Sequence, residues 1–210
     1  PLTGGIILST SFILFYYSYS LLLSISLIIF VIFGIISDLN TKFSAVLRLV
    51  IQSILILSFV FLDDLKIGET RIILLDGLLS NSIFNYFFVS FCLLILINGT
   101  NFIDGLNTNV IGYYIILSYF LSKSFFLNVL GLDYSTWIFW TLSLLIIYLF
   151  NFFKKLFLGD NGAYALGFIY GIFLIKFYSI SNIISPFFII SILWYPCFEM
   201  LFSMIRKKIQ

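Results

Sequence analysis

The chain has 210 residues, of which 62% are hydrophobic, 20% aromatic and 10% charged, with a formal net charge of +2. Soluble domains carry about 25% charged residues, so this chain lacks the polar surface to face water all round, and a mean hydropathy of +1.17 excludes disorder. The chain contains no histidine, which removes the commonest general base and metal ligand and with it zinc sites, Ser-His-Asp triads and Cys-His dyads.

In chain order, Pro1-Leu2-Thr3-Gly4-Gly5 reads as a loop that leads into the first of eight apolar segments. These are expected at 6–17, 20–36, 45–62, 83–97, 109–122, 136–153, 163–178 and 185–205. Most approach the roughly 20 residues that a spanning helix needs. None shows the alternation of a barrel strand, so the expected fold is all-α: a polytopic membrane bundle of about eight transmembrane helices with short loops. No charged n-region or small-residue cleavage site marks a signal peptide. Cys92 and Cys197, far apart in apolar runs, read as small buried hydrophobes.

The connections alternate in character. The stretches 18–19, 63–82, 123–135 and 179–184 are plain, whereas 1–5, 37–44, 98–108, 154–162 and 206–210 gather the Gly-, Asn- and Asp-rich or basic segments. With eight crossings, parity puts the second set on one side of the bilayer. Lys42, Arg48, Lys154, Lys155, Arg206, Lys207 and Lys208 belong to that side, and Lys66, Arg71, Lys123 and Lys176 to the other. The positive-inside rule then makes the motif-bearing face cytoplasmic.

Three acidic residues stand at helix ends on that face: Asp38 after the second span, Asp104 after the fourth and Asp160 before the seventh. Carboxylates at membrane depth are costly and usually functional. Carboxylates and Asn amides without imidazole or thiolate favour a hard cation such as Mg²⁺, which commonly takes substrate phosphates as its other ligands. Gly159 and Gly162 flank Asp160, and the N-terminus of the following helix is expected to offer its free N–H groups to phosphate. Lys154 and Lys155 add positive charge nearby. Asn98 and Asn101 share a helical stripe with Asp104 if the fourth helix continues that far, a pattern that suits a nucleotide.

Together these segments resemble the polyprenyl-phosphate N-acetylhexosamine-1-phosphate transferases, glycosyltransferase family 4, which include the phospho-MurNAc-pentapeptide translocase. Pro1-Leu2-Thr3-Gly4-Gly5 resembles the family's Pro-x-x-Gly-Gly loop. Ser37-Asp38, followed by Ser44, Arg48 and Gln52, resembles its Asp-Asp loop and the helix after it. Asn98-Gly-Thr-Asn101-Phe-Ile-Asp104-Gly-Leu and Phe157-Leu-Gly-Asp160-Asn-Gly resemble two further signatures. The chain departs from the pattern at Ser37, which replaces the first loop carboxylate, and at Asn107 and Glu199, where family members often have Asp. It also lacks a His-rich loop after the last span. By that resemblance residues 1–210 are expected to be a single transmembrane catalytic domain, a fragment without the first helix and the C-terminal loop.

The resemblance implies transfer of N-acetylhexosamine-1-phosphate from a UDP-sugar to polyprenyl phosphate with release of UMP. Such a reaction initiates surface polysaccharide of the O-antigen kind at a bacterial inner membrane. It implies catalytic roles for Asp38, Asp104 and Asp160, with Asp38 near the lipid phosphate as proton acceptor or orienting group. Substrate binding falls to Gly4, Gly5, Arg48, Asn98, Asn101, Lys155 and Gly162. Asp160 and Asn101 are implied ligands for Mg²⁺, with Mn²⁺ as the alternative ion. The implied partners are the lipid, the nucleotide sugar and the membrane, without nucleic acid; a homodimer stays open. The rival readings are a secondary transporter and a homologue that has lost turnover.

Overall fold

The computed structural model describes residues 3–17, 19–39, 44–105, 108–181 and 184–209. Pro1, Leu2, Asn40, Lys42, Leu106 and Asn107, which carry parts of the motifs and the charge pattern, lie outside them. Among the described residues the chain forms α1 (Gly4–Tyr16), α2 (Leu21–Leu39), α3 (Ala45–Leu62), α4 (Ile73–Leu79), α5 (Ser82–Ile103), α6 (Asn109–Leu121), α7 (Ser124–Leu130), α8 (Tyr134–Phe152), α9 (Gly159–Ile180) and α10 (Pro186–Ile209). Helix is the expected form for such sequences, because in lipid each backbone N–H and C=O must be satisfied within its own segment. Six helices (α2, α3, α5, α8, α9 and α10) are long and apolar enough to cross a membrane, and the protein is a multi-pass membrane protein.

Each of the eight expected apolar segments lies on a helix. α4 and α7 are additions, short turns of helix inside connections that read as plain loops. α1 and α6 have 13 residues each, about 20 Å at 1.5 Å per residue, yet both run the depth of the bundle. α1 begins with Gly5 beside Asn161 and ends with Tyr16 against Phe173. α6 begins where the Thr108 N–H donates to Asn151 Oδ1 (2.5 Å) and reaches Ser118, whose carbonyl accepts from Trp137 Nε1 (3.1 Å). Pro196 falls inside α10.

α9 is the axis of the bundle. Nearly all of its side chains from Gly159 to Ile175 are buried; α1, α2 and α5 pack most closely against it and α7 and α10 less so, while side chains of α6 and α8 reach Tyr170. An aromatic seam runs down it: Phe168 meets Phe30 and Phe59, Tyr170 meets Tyr114, and Phe173 meets Phe12. The outer faces of the other helices expose residues such as Ile25, Ile32, Phe61, Phe139 and Phe150. An apolar exterior of that extent suits lipid rather than water.

The two ends of the bundle differ. At one end, the Lys176 ammonium pairs with Asp63 at 2.7 Å, and Tyr178 and Ser179 of α9 donate to the carbonyls of Glu69 and Lys66. The opposite end collects the last turns of α2 and α5 and the first turns of α3 and α9. There the sequence motifs meet.

Candidate active site

Four helices build the site around the first turn of α9. Leu158, at the N-cap of α9, offers no side-chain hydrogen bond, so the first N–H groups of this helix need partners from elsewhere. α2 supplies one. Asp38 Oδ1 accepts from the Asp160 backbone N–H at 3.0 Å, and Oδ2 accepts from Asn161 Nδ2 at 2.8 Å and, more loosely, from the Asn161 N–H at 3.5 Å. From α5, the carboxylate of Asp104, the residue just beyond that helix, faces the same turn, where the Gly159 N–H favours its charged form. The helix N-terminus that was expected to receive phosphate thus has donors already engaged within the protein. Asp38 occupies the donors of Asp160 and Asn161, where the positive end of the helix dipole stabilises a carboxylate.

Tight packing brings α2 and α1 this close. Gly34 lies one turn before Asp38, and a Cβ on it would stand 2.3 Å from the Asn161 Cα. A Cβ on Gly5 would stand 2.3 Å from the Gly162 nitrogen, and the Gly4 N–H donates to the Phe157 carbonyl at 3.1 Å. The glycines at 4, 5 and 162, expected in substrate binding, are thus buried at the junction of α1 with α9. Asn151 fastens the preceding loop, donating from Nδ2 to the Leu156 carbonyl at 2.9 Å.

Asp160 sits above this junction. Its Oδ2 accepts from Ser37 Oγ at 2.8 Å, from Arg48 Nη1 at 3.3 Å and from the Tyr164 hydroxyl at 3.3 Å. Arg48 Nη1 also reaches Ser37 Oγ at 3.3 Å. No described donor reaches Oδ1. The side chain stays 21% exposed and that of Arg48 33%, so a ligand can approach both. Burial pushes the Asp104 carboxyl up to about 7, and the negative charges of Asp160 and then Asp38 push it the same way. The three carboxylates therefore lie within electrostatic reach of one another. Among the described residues, however, no three acidic or thiol side chains are grouped closely enough to hold a metal by themselves.

The stripe on α5 divides. Helix continues through Asn98 and Asn101 to Ile103, so the expected spacing holds. Asn98 Nδ2 donates to Gln52 Oε1 of α3 at 2.9 Å and to its own Leu94 carbonyl at 2.9 Å, which commits it to the α3–α5 contact. Asn101 is half-buried on the last turn, and its amide has no described side-chain partner. Lys155 is exposed in the loop before α9. Glu199 pairs with Arg206 at 2.7 Å. Residue-by-residue reading assigned no role to Tyr164 or Gly34, and Asn161 and Gln52 entered only as members of the resembling motifs. Tyr164 follows Asp160 by four and Gly34 precedes Asp38 by four, one helical turn in each case, so their shared faces were visible. The pairing of Asn161 with Asp38 joins distant parts of the chain and left no local signal.

The family model for glycosyl transferase family 4 matches residues 19–178. The chain belongs to that family. The matched span holds Asp38, Arg48, Asp104 and Asp160 and leaves Gly4, Gly5 and Glu199 outside it. No match is found among curated proteins. As a member of glycosyl transferase family 4 the protein is a membrane glycosyl-phosphate transferase acting with a lipid-linked substrate.

Proposed function

We propose that the protein transfers N-acetylhexosamine-1-phosphate from a UDP-sugar to polyprenyl phosphate on the cytoplasmic face of a bacterial inner membrane. A phosphate oxygen of the lipid forms a bond to the phosphorus next to the sugar, the bond from that phosphorus to the bridging oxygen breaks, and UMP leaves with the bridging oxygen. Two anions must meet, so alignment and charge neutralisation carry most of the catalytic demand. The observation that supports this reading most is Asp160: one oxygen held by Ser37, Arg48 and Tyr164, the other free of described donors, at the end of the bundle where the motifs meet.

The donor set fits a hard divalent cation. Asp160 Oδ1 and the Asn101 amide would hold Mg²⁺, or Mn²⁺ in its place. Substrate phosphate and water would fill the remaining positions, as is common for Mg²⁺. When bound, the ion supplies charge neutralisation for the diphosphate and the departing UMP. Arg48, fixed by Ser37 and Asp160, places a permanent positive charge beside the reacting phosphates, and exposed Lys155 adds to the attraction at the mouth. Asp104 stands between the end of α5 and Gly159, where it positions the nucleotide side of the site.

The test is release of UMP and transfer of labelled sugar-1-phosphate from UDP-GlcNAc to polyprenyl phosphate in membranes carrying the full-length protein. Transfer that requires divalent metal and falls by at least about a hundredfold in Asp160→Asn, in line with the loss of one preorganised electrostatic group, supports the proposal. Undiminished transfer by that variant overturns the metal assignment, and absence of transfer by the parent with all N-acetylhexosamine donors overturns the reaction.

A further inference from the structure

The reading of the site as a phosphate-transfer centre leaves Asp38 with two candidate duties, accepting a proton or holding something in place, and its bonds separate them. Both of its oxygens are engaged by α9, Oδ1 with the Asp160 N–H (3.0 Å) and Oδ2 with Asn161 Nδ2 (2.8 Å). α9 has no cap of its own, since Leu158 contributes no side-chain bond. Asp38 therefore does for α9, from another helix, what an N-cap side chain does for its own helix: it satisfies the donors of the second and third helical residues. Gly34 allows this approach, because any larger residue there would meet the Asn161 backbone.

The consequence reaches Asp160. The residue whose N–H is gripped by Asp38 is the one whose carboxylate receives Ser37 and Arg48. Ser37 is the neighbour of Asp38 on the same turn of α2. One turn of α2 thus holds Asp160 at both its backbone and its side chain. We propose that Asp38 is a positioning residue, a cap in trans that fixes the first turn of α9 and so aims the Asp160 carboxylate, rather than the base that takes a proton from the acceptor. This rests on the proposed transferase reaction for its kinetic consequences, but its structural core can be measured without any substrate.

Two measurements on the full-length protein decide it. The first is amide hydrogen exchange at residues 159–162, with neither metal nor substrate present. In Asp38→Asn, which keeps one acceptor oxygen but faces Asn161 Nδ2 with a second amide, exchange at Asp160 and Asn161 rises by about tenfold or more. Unchanged protection overturns the cap. The second is the exchange pair Asp38→Asn with Asn161→Asp. It restores a donor–acceptor couple between the two side chains with the roles reversed, and leaves an amide oxygen for the Asp160 N–H. Recovery of protection, and of transfer to within about tenfold of the parent, is the expected result. A doubly exchanged protein that regains protection yet transfers no better than Asp38→Asn alone identifies Asp38 as a base and overturns the proposal. If Asp38→Asn does not fold, Asn161→Ala takes its place. That variant leaves the Asp38 carboxyl in place, so raised KM for the UDP-sugar and weaker protection support the cap, and parental values for both overturn it. Should the parent show no transfer at all, the exchange data still decide the cap, and only the reaction has failed.

Discussion

Gly34 shows how much a single hydrogen decides in this site. In an exposed helix, Gly→Ala stabilises by about 1 kcal/mol through propensity. Here the added methyl would stand 2.3 Å from the Asn161 Cα and 2.7 Å from its nitrogen, backbone atoms that no rotamer change can move aside. Overpacking of that kind costs about 1–3 kcal/mol, so the clash outweighs the propensity. Gly34→Ala is therefore expected to lower the thermal unfolding midpoint in detergent and to reduce transfer, because the helix pushed away carries Ser37 and Asp38. An unchanged midpoint with parental transfer would show that α2 and α9 can part without harm. A second prediction concerns Arg48, whose guanidinium reaches both Ser37 Oγ and Asp160 Oδ2 at 3.3 Å. Lys keeps the charge but not the planar guanidinium that sets Nη1 between the two oxygens. Arg48→Lys is expected to retain more transfer than Arg48→Ala, with KM for the UDP-sugar raised in both. Equal transfer by Lys, Ala and parent would remove Arg48 from the substrate site.

At the scale of elements, the apolar segments were legible because about 20 Leu-, Ile- and Phe-rich residues in a row have few alternatives to a helix. The ends were harder to read, for a reason common to all of them. The segment expected to stop at 97 runs as helix to Ile103, and the one expected to begin at 163 begins at Gly159. In both places Asn, Gly and Asp suggest a loop, yet partners on other helices satisfy those groups, Gln52 for Asn98 and Asp38 for the start of α9. Local chemistry cannot announce a partner 120 residues away (Asp38 and Asn161 are separated by 123 positions). The connection 63–82 was opaque for the same reason. Asn85, buried on α5, accepts from the Ile67 N–H at 2.9 Å and donates to the carbonyls of Ile67 (2.8 Å) and Leu79 (3.0 Å). It ties both ends of the connection, with α4 between them, to the membrane bundle. Asn85→Ala leaves those backbone groups without partners, at a cost of about 1–3 kcal/mol. The expected outcome is a lower unfolding midpoint with little change in transfer at low temperature, since the site lies at the other end of α5. A loss of transfer without loss of stability would contradict that separation.

For the whole molecule, the alternation of plain and motif-bearing connections was the most informative pattern in the sequence, and the bundle explains why it exists. Helices α1, α3, α6 and α9 leave the motif end, and α2, α5, α8 and α10 return to it, so residues far apart in the chain meet whenever they sit at helix ends of matching parity. Asp38, Arg48, Asp104 and Asp160 share one end in that way, while Asp63, Glu69, Lys176 and Tyr178 share the other. What sequence did not disclose is the division of labour among the acidic groups, because it depends on which oxygen faces which helix. The parity has a direct test. Cys92 and Cys197 are free and only partly buried, so Cys92→Ala with Cys197→Ala provides a background without thiols. In that background Lys155→Cys and Glu69→Cys each place one thiol at an exposed position, on opposite ends of the bundle. A membrane-impermeant maleimide applied to intact cells is expected to label Glu69→Cys and to spare Lys155→Cys, with the pattern reversed in inverted vesicles. The expected side rests on the sequence, where seven of the eleven basic residues fall in or beside the motif-bearing connections, a bias that by the positive-inside rule favours the proposed cytoplasmic orientation. In that proposed orientation a UDP-sugar made in the cytoplasm would reach Asp160 without crossing the bilayer. Labelling of both thiols from one side would break the eight-crossing parity, and labelling of Lys155→Cys alone from outside would invert the protein and remove its access to a cytoplasmic nucleotide sugar.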